Sequence, residues 1–429
     1  MRKNIVAFLR QKEHNEVLLK SKDYFINNKI EDINNYRVNK FNVIWKDAYT
    51  NIKFYKKLKK KHKLPNRISK IEDIKKWPII TKSDLQENDN DLQRSYPPKT
   101  QILTGGSTGQ PLRLGSNGGI ETATNQWIGR TFSNITPNSK GFLIWGHHHL
   151  YGKNIFRSFN ILKRSFLDFI MNYKRVSGYD LSEAALGKHF HTMIKYNPDY
   201  VIGYSTAILA FCKSNASKKG LMDKCAIRSV ICTAGALNTD ERIEISRFFG
   251  AEVLMEYGAA ECGTMAYTTE TLGHYKIFWD THIFEAIDDN IHYKKNIVTT
   301  ISNRYFPLIR YDICDYIETI DDNPYPVEVK NIVGRPSEFL DFQNGTKIYF
   351  ALINDVLKQN SKVKALQVSV QKNTLMIYVQ LTCSLLKTEE KEIIKKCELV
   401  APDLKNINIS IIEKEELFKT PSGKIRLIV

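Results

Sequence analysis

No stretch of this sequence approaches the run of about eighteen apolar residues that a membrane-crossing helix requires. The apolar segment behind Arg2 and Lys3, Ile5 to Leu9, is too short for a secretory core, and no small-residue cleavage site follows it, so the cytoplasm is the expected compartment. The seven cysteines, at 212, 225, 232, 262, 314, 383 and 397, contain no Cys-x-x-Cys pair and are odd in number. They read as reduced, mostly buried thiols rather than a disulfide framework. There is no internal repeat and no low-complexity linker. Acidic residues are outnumbered, 46 against 63 Lys and Arg, for a formal charge of +17. Such a surface concentrates anions, whether nucleotides, coenzyme A or nucleic acid. The densest basic run, Lys56-Lys57-Leu58-Lys59-Lys60-Lys61, has few aromatics to stack bases, which favours a solvated helical face over a nucleic-acid site.

A further absence concerns Thr104-Gly105-Gly106-Ser107-Thr108-Gly109-Gln110-Pro111. Hydroxyls and glycines alternate there as in a loop that wraps backbone amides around phosphate, with an ordinary Ser/Gly turn as the other reading. The Walker loop continues Gly-Lys-Ser/Thr, whereas Gly109 is followed by Gln110 and Pro111, which argues against a kinase or GTPase. If the loop takes ATP, positive charge must come from elsewhere. Lys424, in Lys419-Thr420-Pro421-Ser422-Gly423-Lys424, is the candidate.

With 429 residues and 42% apolar composition, the chain is long enough for two or three domains. Residues 1–95 carry helical spacing, as in Tyr36, Phe41, Ile44, Trp45, Tyr49 and Ile52, and read as a helical lead-in. Trp77 to Leu85 is an extended stretch entering a helix capped by Thr81 or Ser83. An α/β pattern follows. Asp199–Tyr204 and Ser229–Thr233 read as strands, with a helix from Ala207 between them. Asn238 and Glu241 form a capping box for a helix to Phe249, and Glu252–Met255 is the next strand. The turns at Gly235 and Tyr257-Gly258 are therefore expected at the carboxyl edge of a parallel sheet, where ligands bind. Further strands are expected near Ile277–Ile287, Ile297–Ile301 and Pro307–Tyr311. Residues 336–429 read as a separate small α+β domain, with strands at Leu366–Val370, Leu375–Leu381 and Ile407–Ile412 and a helix over Thr388–Leu399.

In order, the chain presents residues 104–111, Gly235-Ala236, Glu256-Tyr257-Gly258-Ala259-Ala260-Glu261, Arg310-Tyr311-Asp312-Ile313-Cys314-Asp315, Gly334-Arg335 and Gly423-Lys424. This order and spacing resemble the adenylate-forming superfamily of acyl-coenzyme A synthetases, adenylation domains and luciferases. The lead-in and length resemble its phenylacetate-coenzyme A ligase and capsular-polysaccharide branch. The resemblance implies a large N-terminal α/β domain, residues 1–335, and a mobile C-terminal α+β lid, residues 336–429, pivoting near Ser337. It implies that a small carboxylate and ATP form an acyl-adenylate and pyrophosphate, after which the acyl group passes to coenzyme A, or to an amine or hydroxyl of a sugar or amino acid.

The same resemblance assigns residues. Thr104, Gly105, Gly106, Ser107, Thr108 and Gly109 would hold phosphates, with Thr108 and Lys424 catalytic. Gly235, Ala236, Glu256, Tyr257, Gly258 and Ala259 would surround the nucleotide. Asp315 would accept the ribose hydroxyls, Arg335 would meet ribose or phosphate, and Glu261 would bind magnesium. Asp312 stands where relatives often carry a basic residue. Arg310 is open between a site role and a structural ion pair. In Trp145-Gly146-His147-His148-His149, either His147 or His149 would polarise the substrate carboxylate beside Gly258, with a core histidine as the competing reading. Zinc is disfavoured: the resemblance implies a structural zinc held by paired cysteines in some relatives, whereas this chain offers only Cys262 and the nearby His274. A non-catalytic nucleotide- or nucleic-acid-binding protein on this fold is the alternative class, and neither the acid nor the oligomeric state is legible.

Overall fold

The computed structural model describes residues 29–103, 112–117, 120–145, 156–178, 181–289, 293–334, 339–358, 360, 362–418 and 428–429. The segment 104–111, His147, His149, Arg335, Ser337 and Lys424 lie outside the described residues. The chain divides into two compact units, one of Met1–Asp289 with Tyr293–Val333, the other of Gly334–Val429 with Asn290–His292.

The first unit opens with α1 (Ile30–Asn51) and α2 (Lys53–His62). In α1, Ile33, Arg37, Phe41, Ile44, Trp45 and Ala48 are buried, the three-and-four spacing of a helix with one apolar face. Arg37 is drawn in with them and donates to the carbonyls of Tyr325 and Pro326 at 3.0 and 3.1 Å. Between Pro65 and Lys76 the lead-in is not the expected α-helix, while the extended stretch from Trp77 into a helix capped by Thr81 is as expected. It runs through a 3-10 turn, Ile71–Lys76, to an extended Ile80 before α3 (Lys82–Glu87), since Pro65 and Pro78 cannot sit inside a helix. Thr81 is the cap: its Oγ1 accepts from Asp84 N–H at 3.2 Å and its own N–H donates to Asp84 at 2.7 Å.

Strands β1 (Thr100–Leu103) and β2 (Arg113–Ser116) pair antiparallel. The α/β portion follows in chain order: α4 (Ile120–Thr131), β3 (Gly141–Trp145), α5 (Phe156–Ile170), β4 (Tyr173–Ser177), α6 (Glu183–Tyr196), β5 (Tyr200–Tyr204), α7 (Ser205–Ser214), α8 (Lys219–Met222), β6 (Ser229–Thr233), α9 (Thr239–Phe249) and β7 (Glu252–Ala259). Here β4, β3, β5, β6 and β7 lie side by side and parallel. The Asn238–Glu241 capping box starts α9, and Gly250 ends it in the left-handed region at φ 63°. Val201, Val230 and Val253 pack with apolar residues of α6, α7 and α9. Ile202, Ile231 and Leu254, on the other face, pack with Trp127 and Ile128 of α4.

The sheet continues with β8 (Gly263–Thr268), β9 (Tyr275–Ile277), β10 (His282–Asp288), β11 (Lys294–Thr300), β12 (Tyr311–Thr319) and β13 (Glu328–Gly334). Eleven described strands run in the order β10-β11-β12-β13-β9-β8-β7-β6-β5-β3-β4. Two sequence expectations change here. The expected strand at Ile277–Ile287 is split, because Thr281 and His282 both donate to the Phe278 carbonyl at 3.0 Å and close a turn. Pro307–Arg310 is not strand. Pro307 has no N–H, the N–H groups of Leu308 and Arg310 go to the hydroxyls of Thr300 and Thr299, and Arg310 has φ 48°, so β12 begins only at Tyr311.

The second unit contains β14 (Phe339–Asp341), β15 (Lys347–Tyr349), α10 (Phe350–Lys358), β16 (Val363–Gln371), β17 (Thr374–Leu381), α11 (Lys387–Val400) and β18 (Asn408–Glu413). Its three-stranded sheet, β16-β17-β18, has a core of its own that includes Val368, Ile377, Val379, Ile393 and Leu404.

Arg310 is a structural residue. Its Nε and Nη2 donate to the two oxygens of Glu285 at 2.7 Å each, and Nη1 donates to the Trp77 and Lys75 carbonyls at 2.5 and 3.2 Å. Both side chains are buried. Arg310→Met should cost about 3–5 kcal/mol in denaturant unfolding, because it leaves the Glu285 charge buried and unpaired. Adding Glu285→Leu should recover a large part of the loss. A double variant no more stable than the single one would show that the carbonyl contacts, not the ion pair, carry the cost.

Candidate active site

The turns expected at the carboxyl edge are there. After β6, Ala234 takes φ 59°, and Ser205 Oγ donates to the Gly235 carbonyl at 2.7 Å, while Gly235 and Ala236 are exposed. One strand over, β7 and β8 are joined by a tight turn in which Ala259 pairs with Gly263. Gly258 is required there, since an added Cβ would lie 2.6 Å from the Gly263 carbonyl oxygen. Glu261 stands on this turn, partly exposed.

Strand β12 brings the second half of the cluster. In its register with β11, Val298 faces Tyr311, Ile297 faces Asp312 and Asn296 faces Asp315, so Ile313 and Cys314 form a bulge. Cys314 adopts φ 60°, and its N–H donates to Asp312 Oδ1 at 2.9 Å. The bulge removes two residues from the ladder. Tyr311 and Asp315 thereby occupy successive positions on one face, about 7 Å apart along the strand instead of about 13 Å. Asp312 points to the opposite face, where it pairs with Lys295 at 2.8 Å.

Two tyrosine–carboxylate contacts result. Tyr257 donates to Asp315 Oδ2 at 2.6 Å, and Tyr311 donates to Glu261 Oε1 at 3.3 Å. Burial raises the pKa of both phenols, and the neighbouring carboxylates raise it further. Both are therefore neutral donors at physiological pH. The structure thus unites Tyr257, Glu261 and Asp315 from the sequence-derived set and adds Tyr311, which lay within the Arg-Tyr-Asp motif but had been given no role. Glu256 goes elsewhere: its side chain is buried and accepts from Tyr267 at 3.0 Å, and burial raises its pKa. Among the described residues no group of three His, Cys, Asp or Glu is placed to hold a metal. His274 Nδ1 lies 3.2 Å from Glu328, and Cys262 is buried. Glu261 is a lone, partly exposed carboxylate, an oxygen donor of the kind that a magnesium ion keeping most of its waters accepts.

The Glu261 turn is anchored from below by residues that sequence reading missed. His282 Nε2 lies 3.0 Å from the Cys262 carbonyl, and Arg304 Nη1 donates to the same oxygen at 2.5 Å. A carbonyl only accepts, so Nε2 carries the proton and Nδ1 faces Thr281 Oγ1 at 2.9 Å. Burial lowers the His282 pKa from 6.5 to about 3. Below pH 6.5 the unfolded chain takes up a proton that the folded one refuses, so this site contributes stability above pH 6.5 that is lost as pH falls toward 3. His282→Gln keeps a donor without the titration. The unfolding free energy of the wild type, measured in urea, should therefore fall relative to this variant by up to about 1.4 kcal/mol per pH unit between pH 6 and 4. A constant difference across that range would contradict the buried neutral imidazole.

No protein-family model matches the chain. It is 22% identical over 396 residues to Protein CapK of Staphylococcus aureus, covering 88% of this chain and 85% of that protein. Its fold matches 2-hydroxyisobutyryl-CoA ligase, solved in the postadenylation state with 2-HIB-AMP, at a TM-score of 0.66, with 16% identity, 92% of this chain and 88% of the ligase covered. Acetoacetyl-CoA synthetase from Streptomyces lividans superposes with a TM-score of 0.51 at 15% identity over 76% of this chain and 53% of that one. The parallel sheet with its antiparallel extension, followed by a small α+β unit, is thus the fold of the adenylate-forming ligases.

Proposed function

We propose that this protein is an AMP-forming carboxylate ligase that joins a carboxylic acid to AMP from ATP, releases pyrophosphate, and then transfers the acyl group to coenzyme A. The observation that carries this reading is the pair of carboxylates at the sheet's carboxyl edge, Asp315 held by Tyr257 at 2.6 Å and Glu261 by Tyr311 at 3.3 Å. They occur on a fold shared with a ligase solved with an acyl-AMP.

In this reading a carboxylate oxygen attacks the α-phosphorus, one P–O bond forms, and the bond to pyrophosphate breaks. Two anions must be brought together, so amide donors and positive charge are the catalytic requirement. Asp315, a two-oxygen acceptor, takes the ribose hydroxyls. Tyr257 offers its ring to adenine, and its tethered hydroxyl fixes the ring's orientation. Glu261 would hold the magnesium that accompanies ATP, and that ion would neutralise phosphate charge. Ser107, Thr108 and the amides of 105–109 bind the β- and γ-phosphates, and His147 or His149 polarises the carboxylate. Lys424 contacts the carboxylate and α-phosphate during adenylation. It withdraws when the C-terminal unit, from residue 336, pivots near Ser337 for acyl transfer. An amine or hydroxyl of a sugar or amino acid is the alternative acceptor.

A carboxylate panel assayed by ATP–pyrophosphate exchange tests the first half-reaction, and coenzyme A, amines and sugars offered to the resulting adenylate test the second. No exchange with any acid would overturn the reading. Glu261→Gln should abolish most exchange at limiting magnesium while leaving the unfolding midpoint nearly unchanged. Lys424→Ala should slow acyl-AMP formation by ~10²-fold or more, the scale of losing one charge-stabilising donor. Acyl transfer from a supplied adenylate should be spared, because a group absent from a transition state cannot lower its barrier. Equal loss in both half-reactions would refute that division.

A further inference from the structure

Helix α5 has its polarity inverted. Asp168 is buried and receives Arg175 through Nε and Nη2 at 2.8 and 2.9 Å. Arg164 approaches the same carboxylate at 3.3 Å, one turn away on that face. The opposite side is apolar: Leu162 is 70% exposed, Phe166 63%, Phe169 60% and Leu167 40%. An ordinary surface helix turns its ions outward and its apolar stripe inward. Single exposed apolar residues are commonplace, but four on two turns of one helix form a contiguous patch of the kind that marks an interaction surface. The ion pairs to Asp168 set the roll of the helix, so the patch cannot turn inward without breaking them.

The charge around the patch identifies its partner. Between Lys153 and Arg175 the sequence has six basic residues and one acidic, Asp168, and that one is buried against its arginines. Lys163 is exposed beside the patch. The adjoining strand β4 is the edge of the large sheet, so no further strand of it flanks the helix. A second copy seated by two-fold symmetry would bring this basic rim against itself. An anionic bilayer surface is complementary to both parts: phenylalanines and leucines enter the interface while lysines meet lipid phosphates. No described helix is long and apolar enough to cross a membrane, and none is needed for this.

We propose that α5 docks this protein on the surface of an anionic lipid bilayer, with Leu162, Phe166, Leu167 and Phe169 inserted and Lys163 at the headgroups. The site does not involve the carboxylate cluster and is independent of the ligase reading. The test is co-sedimentation of the full chain with vesicles of phosphatidylcholine and phosphatidylglycerol in equal parts, against pure phosphatidylcholine. The wild type should sediment with the mixed vesicles and be released by raised salt. Phe166→Ser/Phe169→Ser should weaken partitioning about tenfold or more, with an unchanged unfolding midpoint because both side chains are exposed. Lys163→Glu should weaken it through charge alone. Absence of wild-type binding to mixed vesicles would overturn the proposal, as would equal binding by the double phenylalanine variant. Sedimentation velocity supplies the rival outcome: a dimer that this variant dissociates, with vesicle binding untouched, would assign the patch to a second copy instead.

Discussion

The buried pairing of Arg310 with Glu285 is the constraint from which the site follows. It joins three chain segments far apart in sequence, the lead-in through the carbonyls of Lys75 and Trp77, strand β10 through Glu285, and the start of β12 through Arg310 itself. An ion pair so enclosed contributes little net stability, since desolvation offsets much of the Coulombic gain. Its effect is on geometry. Ile80 is laid alongside Tyr311 by hydrogen bonds on either side, Ile80 N–H to the Arg310 carbonyl at 2.9 Å and Asp312 N–H to the Ile80 carbonyl at 2.8 Å. The first residues of β12 are therefore fixed on both flanks before the bulge begins.

From that fixed start, the two residues taken out of the ladder at Ile313 and Cys314 draw Tyr311 and Asp315 together, and each tyrosine–carboxylate contact spans β12 and the β7–β8 hairpin. Glu261 needs support on its other side, which the carbonyl of Cys262 receives from His282 and Arg304. The cluster is thus over-determined by backbone contacts beneath it. That is what a charge-handling site needs if its groups are to be oriented before the substrate arrives.

The contrast between Asp312 and Asp315 shows how far sequence reading reached. Both stand in one motif, and the resemblance singled out Asp315 while finding Asp312 unlike relatives. The structure gives the physical difference: Asp315 faces Tyr257, and Asp312 turns to Lys295. Glu256 and Tyr257 are adjacent in the same way, yet strand alternation sends Glu256 to Tyr267 and away from the cluster. Arg310 was open between a site and a structural role from sequence, and its four hydrogen bonds decide for the structural one.

By itself, the sequence determined the local elements whose signals are short-range. The Asn238–Glu241 cap, the apolar strands expected at Asp199–Tyr204 and Ser229–Thr233, and the alternating pair expected at Leu366–Val370 and Leu375–Leu381 all follow from residue type and period. It also placed the turns after β6 and β7 at a parallel sheet's carboxyl edge, because βαβ order dictates that edge. Tertiary structure alone decided the two-residue bulge in β12, the break at Pro307–Arg310, the clamp of His282 and Arg304 on Cys262, and the inverted face of α5. These depend on partners between 4 and 42 residues away, through hydroxyls, carbonyls and buried charges whose pairing energy has no local periodicity.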